Sequence, residues 1–361
     1  MAAPKPRPGI LDISPYVGGR STLAGMDRVI KLSSNEGALG PSPRAIAAYQ
    51  AVAAEMHRYP DGHAEALRHA LAGQMGLDAG RIVCGAGSDE LLQLLVRGYA
   101  GPGDEVLYSR YGFLVYPIAA RASGATPVVA DEDDLTASVD NLLAAVTPRT
   151  KIVFLANPNN PTGTYLPESE VRRLRDGLPG DVLLVLDAAY AEFVDRNDYS
   201  AGAELVEVSD NVVMTRTFSK IYAMGGLRLG WAYCPAAIAD VLNRIRGPFN
   251  VSSAALAAGQ AAVEDVAYLD VVRRHNAYWR DWFTGQVQAL GLTAIPSVAN
   301  FVLIRFPDQA RASAADAWLR GRGIIVRPVA SYGLADCLRV SIGRDTEMQA
   351  LVEALAGFQR S

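Results

Sequence analysis

The chain has 361 residues, half of them apolar and a fifth charged, enough for one large domain and a smaller one, each with its own core. A formal net charge of −4 argues against nucleic acid or an anionic membrane surface as partner. No apolar run reaches the roughly 18 residues that a membrane span needs, and Pro4, Pro6 and Pro8 stand where a signal peptide would have its apolar core.

In chain order, the N-terminal arm leads to a short apolar run at 82–84 and a helical pattern at 89–99. Further apolar runs follow at 105–108, 152–155, 182–186, 212–214 and 231–233, with another helical pattern at 168–177. Several of these runs are continuously apolar, as strands covered on both faces are, and their alternation with helices predicts an α/β fold with a mainly parallel sheet. After Arg246-Gly247-Pro248 the pattern changes to an alanine-rich helical region at 252–290, followed by strands near 300–305, 324–326 and 338–342. The expected division is a large domain over 36–250, with 1–35 and 251–361 forming a smaller α+β domain. Cys84, Cys234 and Cys337 are scattered through apolar stretches and read as buried free thiols of a cytoplasmic protein.

Four motifs fall just beyond expected strand ends, where ligands bind in open α/β sheets. Gly85-Ala86-Gly87-Ser88-Asp89-Glu90 links a strand to a helix, and such a turn offers free N–H groups and the positive helix end to a phosphate. It is neither a dinucleotide fingerprint nor a Walker loop, and an ordinary capped turn would have the same composition. Asn157-Pro158-Asn159-Asn160-Pro161-Thr162-Gly163 is a turn of defined shape that aims Asn160 over the strand ends. Asp187 closes an apolar strand and is costly to bury without a cationic partner; a protonated pyridine nitrogen would be one, and the N-cap of a helix after the strand would satisfy it as well. Thr217-Phe218-Ser219-Lys220, with Arg228 eight residues after the lysine, joins an amine able to form a Schiff base to a hydroxyl and a guanidinium able to hold a phosphate. His57, His63 and His69 recur every six residues, a spacing that makes no metal pair on one helix face, so no metal is expected.

The order Gly-Ser-Asp-Glu, an aromatic at 111, Asn-Asn-Pro-Thr-Gly, Asp-x-x-Tyr, Ser-Lys and Arg resembles the fold-type I pyridoxal 5′-phosphate (PLP) aminotransferases over essentially the whole chain. Ile13-Ser14-Pro15-Tyr16, Ser34-Asn35-Glu36, Tyr59-Pro60-Asp61-Gly62 and Tyr332-Gly333-Leu334 narrow the resemblance to the histidinol-phosphate aminotransferase branch. The resemblance implies that Lys220 bonds the cofactor and then shuttles a proton. Asp187 would pair with the pyridine nitrogen, Asn160 and Tyr190 would bond its phenolic oxygen, and Tyr111 would stack on the ring. Gly87, Ser88, Asp89, Thr217, Ser219 and Arg228 would form the phosphate side, completed by Tyr59 of a neighbouring subunit in a homodimer. Arg339 would bind the glutamate carboxylate, with Tyr16, Asn35 and Arg327 lining the other side of the substrate pocket.

It implies exchange of an amino group between glutamate and imidazole acetol phosphate, in histidine biosynthesis. An aromatic amino-acid aminotransferase, a PLP decarboxylase of the threonine-phosphate type and a non-enzymatic cofactor sensor are the alternatives. Glu36-Gly37-Ala38 departs from the family's usual Glu-Asn-Pro segment, and Ala223-Met224-Gly225-Gly226 from its usual Gly-Leu-Ala-Gly.

Overall fold

The computed structural model describes residues 4–26 and 28–360. Its centre is a seven-stranded sheet built from β1 (Ile82–Gly85), β2 (Glu105–Ser109), β3 (Thr126–Ala130), β4 (Thr150–Ala156), β5 (Leu183–Asp187), β6 (Val212–Thr217) and β7 (Gly230–Tyr233). The spatial order is β1-β7-β6-β5-β4-β2-β3, with β7 antiparallel to both neighbours and every other pair parallel. Alternate side chains enter different layers: Val153 and Leu155 join one apolar cluster, Ile152 and Phe154 the other. Both faces are therefore dry, which is why these strands read as unbroken apolar runs.

Register sets out the site. Ala156, Asp187 and Thr215 are paired neighbours across β4, β5 and β6. Gly85, Gly230 and Thr217 form a second row across β1, β7 and β6. Helix α1 (Ser88–Tyr99) starts beside this second row, and α2 (Val115–Ser123) packs nearby against the same layer as Phe154.

The second apolar unit is a four-stranded antiparallel sheet of β8 (Thr293–Ile295), β9 (Phe301–Arg305), β10 (Arg327–Val329) and β11 (Leu334–Ser341), in the order β8-β9-β11-β10. The N-terminal segment forms a separate two-stranded parallel pair, Ile30–Lys31 with Ile324–Ile325, and reaches the four-stranded sheet through the Ser341 N–H, which donates to the Leu32 carbonyl at 2.9 Å. The expected helical region at 252–290 is two helices, α3 (Ser253–Glu264) and α4 (Val266–Ala289). Asp265, at φ −92° and ψ 63°, interrupts the helix, and its carboxylate accepts the Tyr268 N–H at the start of α4. Strand β3 was not expected. It is an edge strand, half-exposed along most of its length and carrying Pro127, so it lacks the apolar run of its neighbours. Among the described residues no helix is long and apolar enough to cross a membrane, and the three cysteines are free and buried.

Candidate active site

A cavity of about 550 Å³ opens above the strand ends, lined by Lys220, Asp187, Tyr190, Asn160, Ser88, Asp89, Thr217, Ser219, Arg228, Asn35, Tyr16, Arg327 and Arg339, with Phe113 and Ser34 among the others. An adjoining space of about 970 Å³ under the N-terminal arm shares Tyr16 and Arg327 with it, but contains none of the strand-end residues.

Lys220 sits on the turn just past β6. Burial, together with the Arg339 charge, lowers its amine to about 8. Its Nζ lies 3.4 Å from the Ser34 carbonyl and 5.6 Å from the centre of the Tyr190 ring. Asp187, 6% exposed at the end of β5, is pushed up to about 6 by burial. The Tyr116 hydroxyl donates to its Oδ2 at 2.8 Å, and Thr215 Oγ1 lies 3.5 Å from its Oδ1. Among the described residues no cation pairs with this carboxylate. Such a carboxylate in a dry strand-end row favours a cationic ligand atom.

The phosphate side follows from two glycines. Gly87 has φ +84°, and a Cβ there would lie 2.5 Å from Arg228 Nη2. Gly230 passes so close to the turn that a Cβ would lie 2.3 Å from the Ser88 nitrogen. With Gly87 as N-cap, α1 begins without a side-chain cap, leaving N–H groups free beside Ser88 and the Arg228 guanidinium. Arg228 donates to Ser219 Oγ at 3.3 Å, to the Gly225 carbonyl at 2.9 Å and to Asp89 Oδ2 at 3.3 Å. Thr217 Oγ1 accepts the Ser219 N–H at 3.1 Å and shapes the lysine turn.

The substrate side is held by an over-determined asparagine. Asn35 is 1% exposed with φ +54°, a conformation that a side chain rarely adopts. Its N–H donates to Ser341 Oγ at 2.7 Å, and its carbonyl accepts from Asn300 Nδ2 at 3.1 Å. Its Nδ2 donates to the Tyr190 hydroxyl at 2.9 Å, and burial raises that phenol to about 12. Arg339 is buried among Phe301, Tyr190 and Tyr332; it donates to Asn160 Oδ1 and, at 3.0 Å, to the Ser33 carbonyl, while its Nε has no partner among the described residues. A buried guanidinium with a free N–H edge suits a carboxylate. Arg327 donates to the Val17 carbonyl at 2.7 Å, which ties the arm carrying Tyr16 to the rim. Gly37 explains the departure at 36–38: a Cβ there would stand 2.5 Å from Ala223 Cβ, so the segment packs directly on the lysine turn.

Two expected residues lie elsewhere. Tyr111 does not line the cavity; it packs on the cluster of Leu135, Leu303 and Tyr332, and Phe113 occupies the wall instead. The turn after β2 rotates the ring at 111 away, and only the third residue of Tyr111-Gly112-Phe113 faces inward. Tyr59 is 82% exposed, stacked on Phe249 at 4.7 Å, and outside this chain's own cavity. Tyr116, Thr215 and Ser341 were not anticipated. Their hydroxyls acquire meaning only through tertiary placement: Thr215 by register beside Asp187, Tyr116 from a helix and Ser341 from a strand of the second sheet, none of which one sequence displays.

Residues 27–355 match the aminotransferase class I and II family, and the chain belongs to it. It is 67% identical to a histidinol-phosphate aminotransferase of Paramagnetospirillum magneticum over 99% of each chain, and 63% identical to one of Rhodospirillum rubrum over 98% of this chain and 97% of that one. The histidinol-phosphate aminotransferase of Sinorhizobium meliloti, solved with PLP, superposes with a TM-score of 0.92 at 31% identity, covering 99% of this chain and 98% of the other. The architecture is that of the fold-type I PLP aminotransferases.

Proposed function

We propose that this chain transfers the amino group of L-glutamate to imidazole acetol phosphate, giving L-histidinol phosphate and 2-oxoglutarate in histidine biosynthesis, with PLP as cofactor. The full-length identity to histidinol-phosphate aminotransferases carries this reading, because it spans every segment lining the cavity. The residues fit the cofactor. The glycine-bounded turn with Ser88, Ser219 and Arg228 would hold its phosphate, and Asp187 would take its ring nitrogen. Tyr190 and Asn160 would stand at its phenolic oxygen, and Phe113 at its ring face. When bound, PLP supplies an electron sink for the carbanion left by loss of the substrate α-proton.

The remaining work falls to the chain. Lys220, lowered to about 8, has an accessible neutral amine near neutral pH, so its Nζ can take a proton from one position and return it to another. Asp187 keeps negative charge where a cationic ring nitrogen must stay protonated. Asn35 fixes the Tyr190 hydroxyl, while Asn160 and the Ser33 carbonyl each take one N–H of Arg339 and leave its others for the glutamate carboxylate. Histidinol phosphate has no carboxylate, so Arg339 and Arg327 must accept a phosphate in the second half of the cycle. Two substrates served in turn by one lysine give ping-pong kinetics.

Tyr59, exposed and outside its own cavity, would complete the phosphate site of a second subunit, making the working unit a homodimer in the cytoplasm. The test of substrate is a comparison of single-turnover rates of the purified PLP-loaded enzyme with histidinol phosphate, phenylalanine and tyrosine. Histidinol phosphate is expected to react fastest. Preference for the aromatic amino acids would overturn the assignment.

A further inference from the structure

Tyr116 is 1% exposed and lies flat on Phe154, ring centres 4.4 Å apart and planes 2° from parallel. Phe113 meets it edge-on at 6.0 Å. Its hydroxyl is placed in an apolar layer, and its hydrogen-bond partner is Asp187 Oδ2 at 2.8 Å. Burial and the neighbouring carboxylate hold the phenol well above its ordinary range, so Tyr116 serves there as a donor and not as an acid. Thr215, at 3.5 Å from Oδ1, stands at the outer limit of a hydrogen bond. Tyr116 is therefore the strongest donor to the carboxylate, with Thr215 and the Ala189 N–H engaging it more weakly.

We propose that Tyr116 is the positioning residue of Asp187: its O–H anchors Oδ2 and favours the ionised carboxylate, leaving Oδ1 free to meet the cofactor's ring nitrogen. This rests on the PLP reading above. Tyr116 also spans two elements, since α2 brings it to the end of β5 across Phe154 of β4. The stacked ring fixes where the hydroxyl stands, and the hydroxyl fixes the rotamer of the acid. Without the donor, the carboxyl gains a proton more readily and loses its charge at a higher pH. Cofactor affinity would then begin to fail at a higher pH as the solution is acidified.

The test uses the full-length holoenzyme and two variants, Tyr116→Phe and Phe154→Leu. PLP dissociation constants are measured across roughly pH 5 to 8 from the absorbance of the bound cofactor, with Tm recorded alongside. Tyr116→Phe keeps the ring and removes only the hydroxyl, so the fold is retained. It is expected to weaken PLP binding about 10- to 100-fold and to move the acid midpoint of binding upward. Phe154→Leu removes the stacking partner and leaves the donor; it is expected to lower Tm without moving the midpoint. Wild-type affinity and midpoint in Tyr116→Phe would overturn the proposal. So would a midpoint shift in Phe154→Leu as large as that in Tyr116→Phe, since packing would then account for both. Failure of the unmodified protein to bind PLP would sink the cofactor reading itself, and the role of Tyr116 with it.

Discussion

At Asp187, function and stability oppose each other. Its carboxyl has an ordinary value of 3.8 and is raised to about 6 in the fold, chiefly by burial. Between those values the folded chain binds more protons than the unfolded one, so stability falls as pH rises through the window and stays reduced above it. A shift of about two units corresponds to roughly 3 kcal/mol. Asp187→Asn is therefore expected to be more stable than the parent at pH 7.5 without cofactor, the gain vanishing toward pH 4. Denaturant midpoints of the two proteins at several pH values check this; a variant no more stable at neutral pH would show that the buried charge is already compensated.

Lys220→Ala should lose roughly 10⁴-fold in turnover while keeping the fold, and retained transamination would remove the lysine from its role. Arg339→Ala should raise the glutamate KM about 10- to 100-fold with PLP still bound. Unchanged glutamate kinetics would move the carboxylate anchor elsewhere. Asp187 and Lys220 were legible in the sequence because each is a charged group at the end of an apolar run, and Arg339 only through the family resemblance. Tyr116 and Phe113 were not. One is an aromatic on a helix, the other an aromatic in a turn, and which ring faces the cavity depends on a backbone rotation that composition does not record.

Between elements, a buried ion pair behind the site joins the turn carrying Tyr190 to the strand that leads to Lys220. Arg216 on β6 contacts Glu192 Oε1 at 2.8 Å, with side chains 12% and 3% exposed, and its guanidinium lies over the Trp231 ring at 5.7 Å. Arg273 on α4 adds a bond to the Glu192 carbonyl at 2.9 Å, bringing that helix into the same junction. Removing one member of such a pair leaves the other charge buried and unpaired, at a cost of about 3 kcal/mol or more. Arg216→Met should therefore lower the urea midpoint of unfolding markedly, and a midpoint within error of the parent would refute the pair's contribution.

The same contrast governs what could be read of the fold. Strands covered on both faces announce themselves as apolar runs, so six of the seven central strands were anticipated. The edge strand β3 is half wet and carries Pro127, and its pairing with β2 is visible only in three dimensions. The break at Asp265 was equally hidden, since alanine-rich sequence continues on its N-terminal side and only the carboxylate cap marks the new helix start.

For the whole molecule, the exposed position of Tyr59 bears on assembly. A tyrosine ring 82% exposed and stacked on Phe249 adds nothing to its own cavity, yet it is fixed enough to act on a neighbouring surface. Ile46 and Tyr49, at 43% and 45% exposure, leave further apolar area open beside Met224 and Leu227, on the outer side of the lysine turn. If two subunits exchange Tyr59, each site draws Lys220 from one chain and Tyr59 from the other. Lys220→Ala and Tyr59→Ala chains, unfolded together and refolded as a mixture, should then form hybrid dimers in which one site is intact. Random pairing places such a site in half of the dimers, so roughly a quarter of the parental site number should return. Activity of the refolded mixture is compared with that of each variant refolded alone. Recovery above the sum of the two is the expected result, and a mixture that merely averages its components would mean that Tyr59 serves its own chain or none.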